Sequence, residues 1–298
     1  MKYRIAHQQT KRLIIGSAAG LLVAGIGLLT MTLSGAATFS TPTEAEDGTV
    51  TNASIVDDAD ASDSKAVRFN EPTTPPANPG VPAGVLNLTN WKLTLPVNTS
   101  HAGSPDEIVQ PELATFVLDP YFKVASTNNA VVFRANAGGA TTSGSGYPRS
   151  ELREMSSNGS ALASWSDTSG THTMTIKEAI THLPDVKKHV VAGQIHDAAD
   201  DVVMVRLEGP KLFLEGEGVD LGTLDANYTL GTIFTVKIIA SGGHIKAYYN
   251  DVLKVDYARS GSGFYFKAGC YTQSNLSKGD TADAYGEVVI YDLQVSHT

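Results

Sequence analysis

Three short segments of the sequence place unusual polar side chains at every second position. They are Arg149-Ser-Glu-Leu-Arg153, Gln194-Ile-His196 and Tyr265-Phe-Lys-Ala-Gly-Cys-Tyr-Thr-Gln273. Successive side chains of a strand point to opposite faces of its sheet. One face would therefore carry Arg, Gln, His, Lys and Tyr groups, which donate hydrogen bonds to carboxylates. The spacing predicts a surface that binds a ligand bearing carboxylate groups.

A solvated sheet face gives the same alternation, and for any single strand that explanation is sufficient. His196 alone would be an ordinary strand histidine, and Tyr271 alone would be ordinary packing. Three such strands together lack the mixture of Thr, Ser and Glu that is typical of a wet face. Glu151, flanked by Arg149 and Arg153, is expected to stay ionised and structural. Cys270 points to the opposite face and is expected in the core.

The elements that must position these residues are strands. From about Val85 onward the chain consists of short alternating runs separated by turns such as Ser241-Gly-Gly and Asn250-Asp251. About eleven such runs follow in sequence, and only Pro105–Leu118 looks weakly helical. This pattern predicts one all-β domain, a sandwich or a barrel.

Composition and charge exclude several classes of function. The chain has 298 residues and a net charge of −9, so nucleic acid is not an expected partner. The single cysteine excludes an intramolecular disulfide and a CxxC zinc site. The acidic run that begins at Asp197 lacks the spacing of a calcium loop and is expected to form a turn. Lys187 and Lys188 are expected in a solvated loop. We expect no metal, no organic cofactor and a monomer.

The first 84 residues differ in character from the rest. Residues 1–39 combine four basic residues with a long apolar run, which predicts either a cleaved signal peptide or an uncleaved membrane anchor. Either would place the remainder outside the cytoplasm, secreted or anchored, and the membrane would be contacted only through this segment. Residues 40–84 are an acidic spacer followed by a Pro-rich linker, expected to be disordered. Residues 85–298 form the predicted domain.

The three motifs, in this order, resemble the signature motifs of alginate lyases of polysaccharide lyase family 7. The resemblance covers about residues 85–298 and includes the stretch Leu-Thr-Asn-Trp-Lys-Leu-Thr-Leu-Pro at 88–96. It implies a jelly-roll β-sandwich of the concanavalin A-like type. It also implies cleavage of 1,4-linked polyuronates, with alginate as the anionic polysaccharide partner, by β-elimination.

The resemblance implies roles for individual residues. Arg149 and Gln194 match the positions that neutralise the substrate carboxylate, which an enolate-like transition state requires. His196 matches the base and Tyr271 the acid on guluronate, whereas Tyr271 serves both roles on mannuronate. Glu151 would hold both arginines in place. The other polar residues of the three strands would bind the substrate; these are Arg153, Lys267, Gln273 and Tyr265.

Several alternatives stay open on the sequence. Ile195, at the variable centre of the second motif, favours guluronate-containing blocks in this family. The same fold and groove would also suit a non-catalytic polyuronate-binding lectin, or a lyase acting on another polyuronate such as a glucuronan. A glycoside hydrolase fits poorly, because that reaction needs two carboxylates flanking the bond.

Overall fold

The computed structural model describes residues 53–57, 65–69, 80–99, 101 and 104–298. The chain divides into two compact units, Met1–Pro72 and Thr73–Thr298. In the first unit, β1 (Ala53–Asp57) and β2 (Lys65–Phe69) pair antiparallel, with Ala53 opposite Phe69. The predicted signal or anchor segment, 1–39, lies outside the described residues, as does most of the predicted linker. None of the helices among the described residues is both long and apolar enough to cross a membrane.

The second unit contains two antiparallel sheets. The larger has, in spatial order, β14 (Val219–Asp225), β13 (Lys211–Gly216), β12 (Asp201–Glu208), β11 (His189–His196), β18 (Ser262–Thr272), β7 (Arg149–Ser156), β3 (Trp91–Thr94) and β4 (Glu107–Ile108), with β8 (Ala161–Leu162) paired to β7 and β9 (Trp165–Ser166) to β18. The smaller has β17 (Val252–Ala258), β16 (His244–Tyr249), β15 (Phe234–Ser241), β10 (Thr171–His182), β19 (Tyr285–His297), β6 (Val131–Asn136) and β5 (Phe122–Val124).

The two sheets bury a continuous apolar core between them, so the predicted all-β sandwich is confirmed. Phe122 and Phe133 of the smaller sheet meet edge to face in this core, with ring centroids 5.2 Å apart. Ile195 of β11 and Cys270 of β18 are fully buried in it. The expected helix at Pro105–Leu118 is wrong. This segment contains only β4 and the 3-10 turn Glu112–Ala114, and Pro111 cannot donate a backbone hydrogen bond within a helix.

The register of three central strands brings the motifs together. Lys267 of β18 lies opposite Arg153 of β7 on one side and opposite Gln194 of β11 on the other. Between β7 and β18 this pairing continues without a shift to Tyr271, opposite Arg149. Gly269 lies between these two pairs with φ +136°, and a Cβ there would come within 2.6 Å of the Ser150 carbonyl oxygen. Glycine therefore permits the close approach of β18 to β7.

Candidate active site

A buried carboxylate lies at the centre of the polar face. Glu151 of β7 is 1 % exposed and accepts hydrogen bonds from three side chains on three adjacent strands. Arg149 Nη1 donates to Oε2 over 3.0 Å, and Lys267 Nζ lies 2.5 Å from the same oxygen. Gln194 Nε2 donates to Oε1. One anion thus fixes the positions of two cations and an amide, each of which keeps further N–H groups for a ligand.

The charge states of this cluster follow from its contacts. Burial by itself would raise the pKa of Glu151, but the charges of Lys267 and Arg149 and their hydrogen bonds lower it below the usual range. The expected ionised state of Glu151 is therefore confirmed. Burial lowers the pKa of Lys267 to about 8, against the attraction of Glu151. The cluster carries a net positive charge at neutral pH, inside an acidic protein.

His196 stands at the end of β11 with one ring nitrogen committed to the backbone. Its Nδ1 lies 2.6 Å from the carbonyl oxygen of Asp197. Because a carbonyl can only accept, the neutral ring carries its proton on Nδ1 and leaves Nε2 with a free lone pair. No side chain or backbone group in the described part of the chain bonds Nε2. Burial and the charge of Lys267 lower the pKa of His196, which favours this neutral form.

Tyr271 lies beside the cluster on β18. The Arg149 guanidinium carbon stands 3.9 Å from the centroid of its ring, and its hydroxyl lies 2.8 Å from Ser145 Oγ. Burial raises the pKa of Tyr271 despite the nearby Arg149 charge and the Ser145 hydrogen bond. The phenol is therefore protonated at neutral pH and can donate a proton.

Arg153 is held differently from the expectation. Its guanidinium stacks on the ring of Tyr265 at 3.9 Å, and Nη1 donates to the carbonyl oxygen of Glu154 over 2.5 Å. The expectation that Glu151 holds both arginines is wrong, because Lys267 occupies that position on the carboxylate. Tyr265 in turn stacks against His196, with ring centroids 5.4 Å apart, so Arg153 supports the histidine through Tyr265.

Gln273 follows the end of β18 and is almost completely buried. Its Nε2 lies 3.9 Å from the sulfur of Met204, on β12. This contact is too weak to satisfy the amide, so the amide keeps donors free. The structure thus brings Arg149, Lys267 and Gln194 together around Glu151, with Tyr271 beside Arg149. His196 is near enough for the charge of Lys267 to act on it.

Sequence reasoning missed residues that reach the site from loops. Ser145 and Tyr147 lie between β6 and β7, and the ring of Tyr147 meets that of Tyr271 edge to face at 6.4 Å. Lys187 and Lys188 lie in a loop, as expected, with Lys188 exposed, but Lys187 also donates from its Nζ to the Tyr147 hydroxyl over 2.9 Å. Asn275 Nδ2 donates to the Gly146 carbonyl oxygen over 2.8 Å, which ties two loops together. The sequence indicated two long loops that could close over the groove, residues 136–146 and 275–284, but not which of their side chains reach the site.

Among the described residues, no three His, Cys, Asp or Glu side chains converge as metal ligands. Asp197 Oδ1 instead accepts from the backbone nitrogens of Ala199 and Asp200, as in the expected turn.

Comparison with known proteins gives consistent matches. A family model described as Alginate lyase matches residues 86–297. The structure "Alginate lyase AlgAT5 from Polysaccharide Lyase family 7" is 60% identical, covering 73% of this chain and 99% of that chain, with a TM-score of 0.71. An alginate lyase structure from Corynebacterium sp. is 50% identical, covering 74% and 99%, also with a TM-score of 0.71. A Klebsiella pneumoniae alginate lyase is 25% identical over 290 residues, covering 74% and 94%.

Proposed function

Because the chain belongs to the alginate lyase family, polysaccharide lyase family 7, we propose that the Glu151 cluster, His196 and Tyr271 cleave 1,4-linked polyuronate by β-elimination. The observation that carries this proposal is the convergence of Arg149, Gln194 and Lys267 on one buried carboxylate, next to a free histidine nitrogen. Elimination needs the cations, because removing the C5 proton places negative charge beside an existing carboxylate.

In the proposed mechanism Arg149 and Gln194 bind the carboxylate of the reacting uronate. Glu151 accepts one hydrogen bond from Arg149 and one from Gln194 and so fixes the orientation of both side chains. Their remaining N–H groups therefore point toward the substrate carboxylate before the substrate binds. Prealigned donors lose little freedom on binding, and they stabilise the enolate-like charge as it forms.

His196 Nε2 takes the proton from C5. The electron pair of that C–H bond forms the C4–C5 double bond, the C4–O4 bond breaks, and Tyr271 gives its hydroxyl proton to the departing oxygen. The lone pair on Nε2, the lowered pKa of His196 and the raised pKa of Tyr271 each support this assignment.

The same charge states favour guluronate-containing blocks. On mannuronate the family uses the tyrosine as both base and acid, and a base must first lose its proton. The raised pKa of Tyr271 opposes that step, whereas neutral His196 is ready to act. Ile195, buried behind the site, is consistent with this preference.

The other polar residues of the three motifs would hold neighbouring parts of the substrate. Lys267 and Gln273 keep donors for carboxylates or hydroxyls along the groove. Arg153 and Tyr265 would contact the sugar at the His196 end.

The protein would act outside the cytoplasm as a monomer, after cleavage or anchoring of residues 1–39. Determining the N-terminal residue of protein recovered from medium and from membranes tests that part.

The mechanism is tested with the wild-type protein and with H196A, Y271F and Y248F. Tyr248 lies on β16 of the other sheet, so Y248F controls for loss of a tyrosine hydroxyl. Each protein is mixed with polyguluronate, polymannuronate or polyglucuronate, and the absorbance of the unsaturated uronate is followed. We expect H196A and Y271F to lose at least roughly 100-fold in rate on polyguluronate, and Y248F to retain wild-type activity.

Other outcomes lead to other conclusions. Full activity of Y271F would refute the acid assignment. Cleavage of polymannuronate alone would refute the guluronate preference. Cleavage of polyglucuronate alone would identify the protein as a glucuronan lyase. Binding of alginate by the wild-type protein without cleavage would identify the protein as a lectin.

A further inference from the structure

Lys187 contacts Tyr147 at the edge of the active site, and the exposed Lys278 is near enough for its charge to act on the same hydroxyl. Lys187 Nζ donates to the Tyr147 hydroxyl over 2.9 Å and lies 4.5 Å from the centroid of its ring. Burial alone would raise the pKa of Tyr147, but the charges and hydrogen bonds of Lys187 and Lys278 lower it. Lys187 and Lys278 have no ion pair with any carboxylate in the described residues. Lys187 thus has a neutral partner, and a second cation lies near the same hydroxyl, in an acidic protein.

The position of this cluster is built by the fold. Asp280 accepts from the backbone nitrogens of Val186 and Lys187 over 2.8 and 2.9 Å, and from Ser274 Oγ over 2.5 Å. This buried carboxylate joins the loop that carries Lys187 to the loop that carries Lys278. The carboxylate of Asp280 is occupied by these bonds, so it orients the lysine without neutralising it.

The cluster adjoins the proposed acid directly. The Tyr147 ring packs edge to face on Tyr271, and the Tyr147 backbone nitrogen donates to Ser145 Oγ over 3.1 Å. The same Ser145 oxygen lies 2.8 Å from the Tyr271 hydroxyl. A polymer that reacts at Tyr271 and extends along the groove past Tyr147 would therefore lie beside Lys187 and Lys278.

We propose that Lys187, Lys278 and Tyr147 form a subsite for the carboxylate of a second uronate, next to the one that reacts. The proposal rests on the proposed function, because a polyuronate carries one carboxylate on every sugar. Each ammonium has three N–H donors, and the Tyr147 hydroxyl occupies one of those of Lys187, which leaves donors for a carboxylate. Tyr147 holds Lys187 in place and adds an aromatic surface for the sugar ring.

The test compares K187M, K278M and the double variant with K188M in the full-length protein. Lys188 is the neighbouring lysine, has the same charge and is exposed, so K188M controls for loss of one positive charge. On polyguluronate we expect K187M and K278M each to raise KM roughly three- to tenfold, with kcat within twofold of wild type. K188M should change neither value by more than twofold, and K187R should recover most of the affinity.

A binding measurement separates this proposal from the proposed function. Calorimetric titration with guluronate oligomers is repeated in the Y271F background, where no cleavage is expected. The subsite requires the same three- to tenfold loss of affinity in K187M there. Values of KM and Kd for K187M and K278M equal to those of K188M would overturn it. If the wild-type protein cleaves no polymer, the proposed function fails, and the titration still decides whether the lysines bind uronate.

Discussion

Glu178 gives the sharpest prediction about stability, because it is a carboxyl group in the core without a partner. It lies on β10 opposite Phe234 and Ile290, it is fully buried, and neither carboxyl oxygen has a hydrogen-bond partner among the described residues. Burial raises the pKa of Glu178 from 4.5 to about 8. The folded protein therefore keeps the carboxyl protonated at neutral pH, whereas the unfolded chain ionises it.

The sign of the pH dependence follows from proton binding. Between pH 4.5 and about 8 the folded state binds the proton of Glu178 and the unfolded state releases it, so stability falls as pH rises. Each pH unit across this window costs up to about 1.4 kcal/mol. Gln cannot ionise, so E178Q removes this loss. We expect E178Q to exceed wild type in unfolding free energy by about 1 kcal/mol at pH 5 and by about 4 kcal/mol at pH 8.

The assay is urea unfolding of wild type, E178Q and E217Q at pH 5, 6, 7 and 8. Glu217 occupies a turn, is about half exposed and pairs with Arg259 at the surface, so E217Q controls for the amide substitution and should cost at most about 1 kcal/mol at every pH. E178M also removes the unpaired polar group and should be more stable than E178Q at every pH. A difference between E178Q and wild type that stays constant from pH 5 to pH 8 would refute the reasoning.

The active site yields three further predictions. K267M removes a cation that lowers the pKa of His196 and leaves the charge of Glu151 less neutralised, so the pKa of His196 should rise. The acidic limb of the profile of kcat/KM against pH should therefore move to higher pH, and an unmoved limb would contradict the electrostatic argument. S145A should reduce kcat roughly three- to tenfold, because it removes the partner of the Tyr271 hydroxyl, and an unchanged kcat would contradict this role. It should also lower the unfolding free energy by about 1 kcal/mol, because the Tyr147 backbone nitrogen loses its acceptor. E151Q should lose about 3 kcal/mol or more of unfolding free energy, because two buried cations lose their anion; a loss below about 1 kcal/mol would show that the cluster is solvated.

The faces of the three motif strands could be predicted from the sequence because strand side chains alternate with a fixed period of two. Ile195 and Cys270 lie in the core, and Glu151 and Lys267 lie together on the opposite face, as that period requires. The period fixes which side a residue faces and says nothing about its partner. It therefore gave no means of telling that Glu151 bonds Lys267 in place of Arg153.

Five strands of the second unit escaped prediction: β4, β5, β8, β9 and β14. β4, β8 and β9 have only two residues each. β5 has three residues, too few for an alternating pattern to be visible, and pairs with β6 beside the core. β14 contains two aspartates and Gly222, where a Cβ would come within 2.8 Å of a methyl carbon of Val255. Gly222 is required because Val255 of the other sheet packs closely against it. Glycine is unfavourable in strands, so its presence argued against a strand in the sequence.

The sequence by itself determined the all-β class, the polar face and the set of groups available for catalysis. These depend on local periodicity and residue chemistry, whereas the choice of a sandwich over a barrel came from the family resemblance. Only the tertiary structure decided that Ser145 and Lys187 reach the site from separate loops, and that Glu178 enters the core unpaired. Ser145 is 126 positions from Tyr271, and Lys187 is 40 from Tyr147. Such contacts depend on loop paths and strand register across the whole domain, which no local pattern encodes.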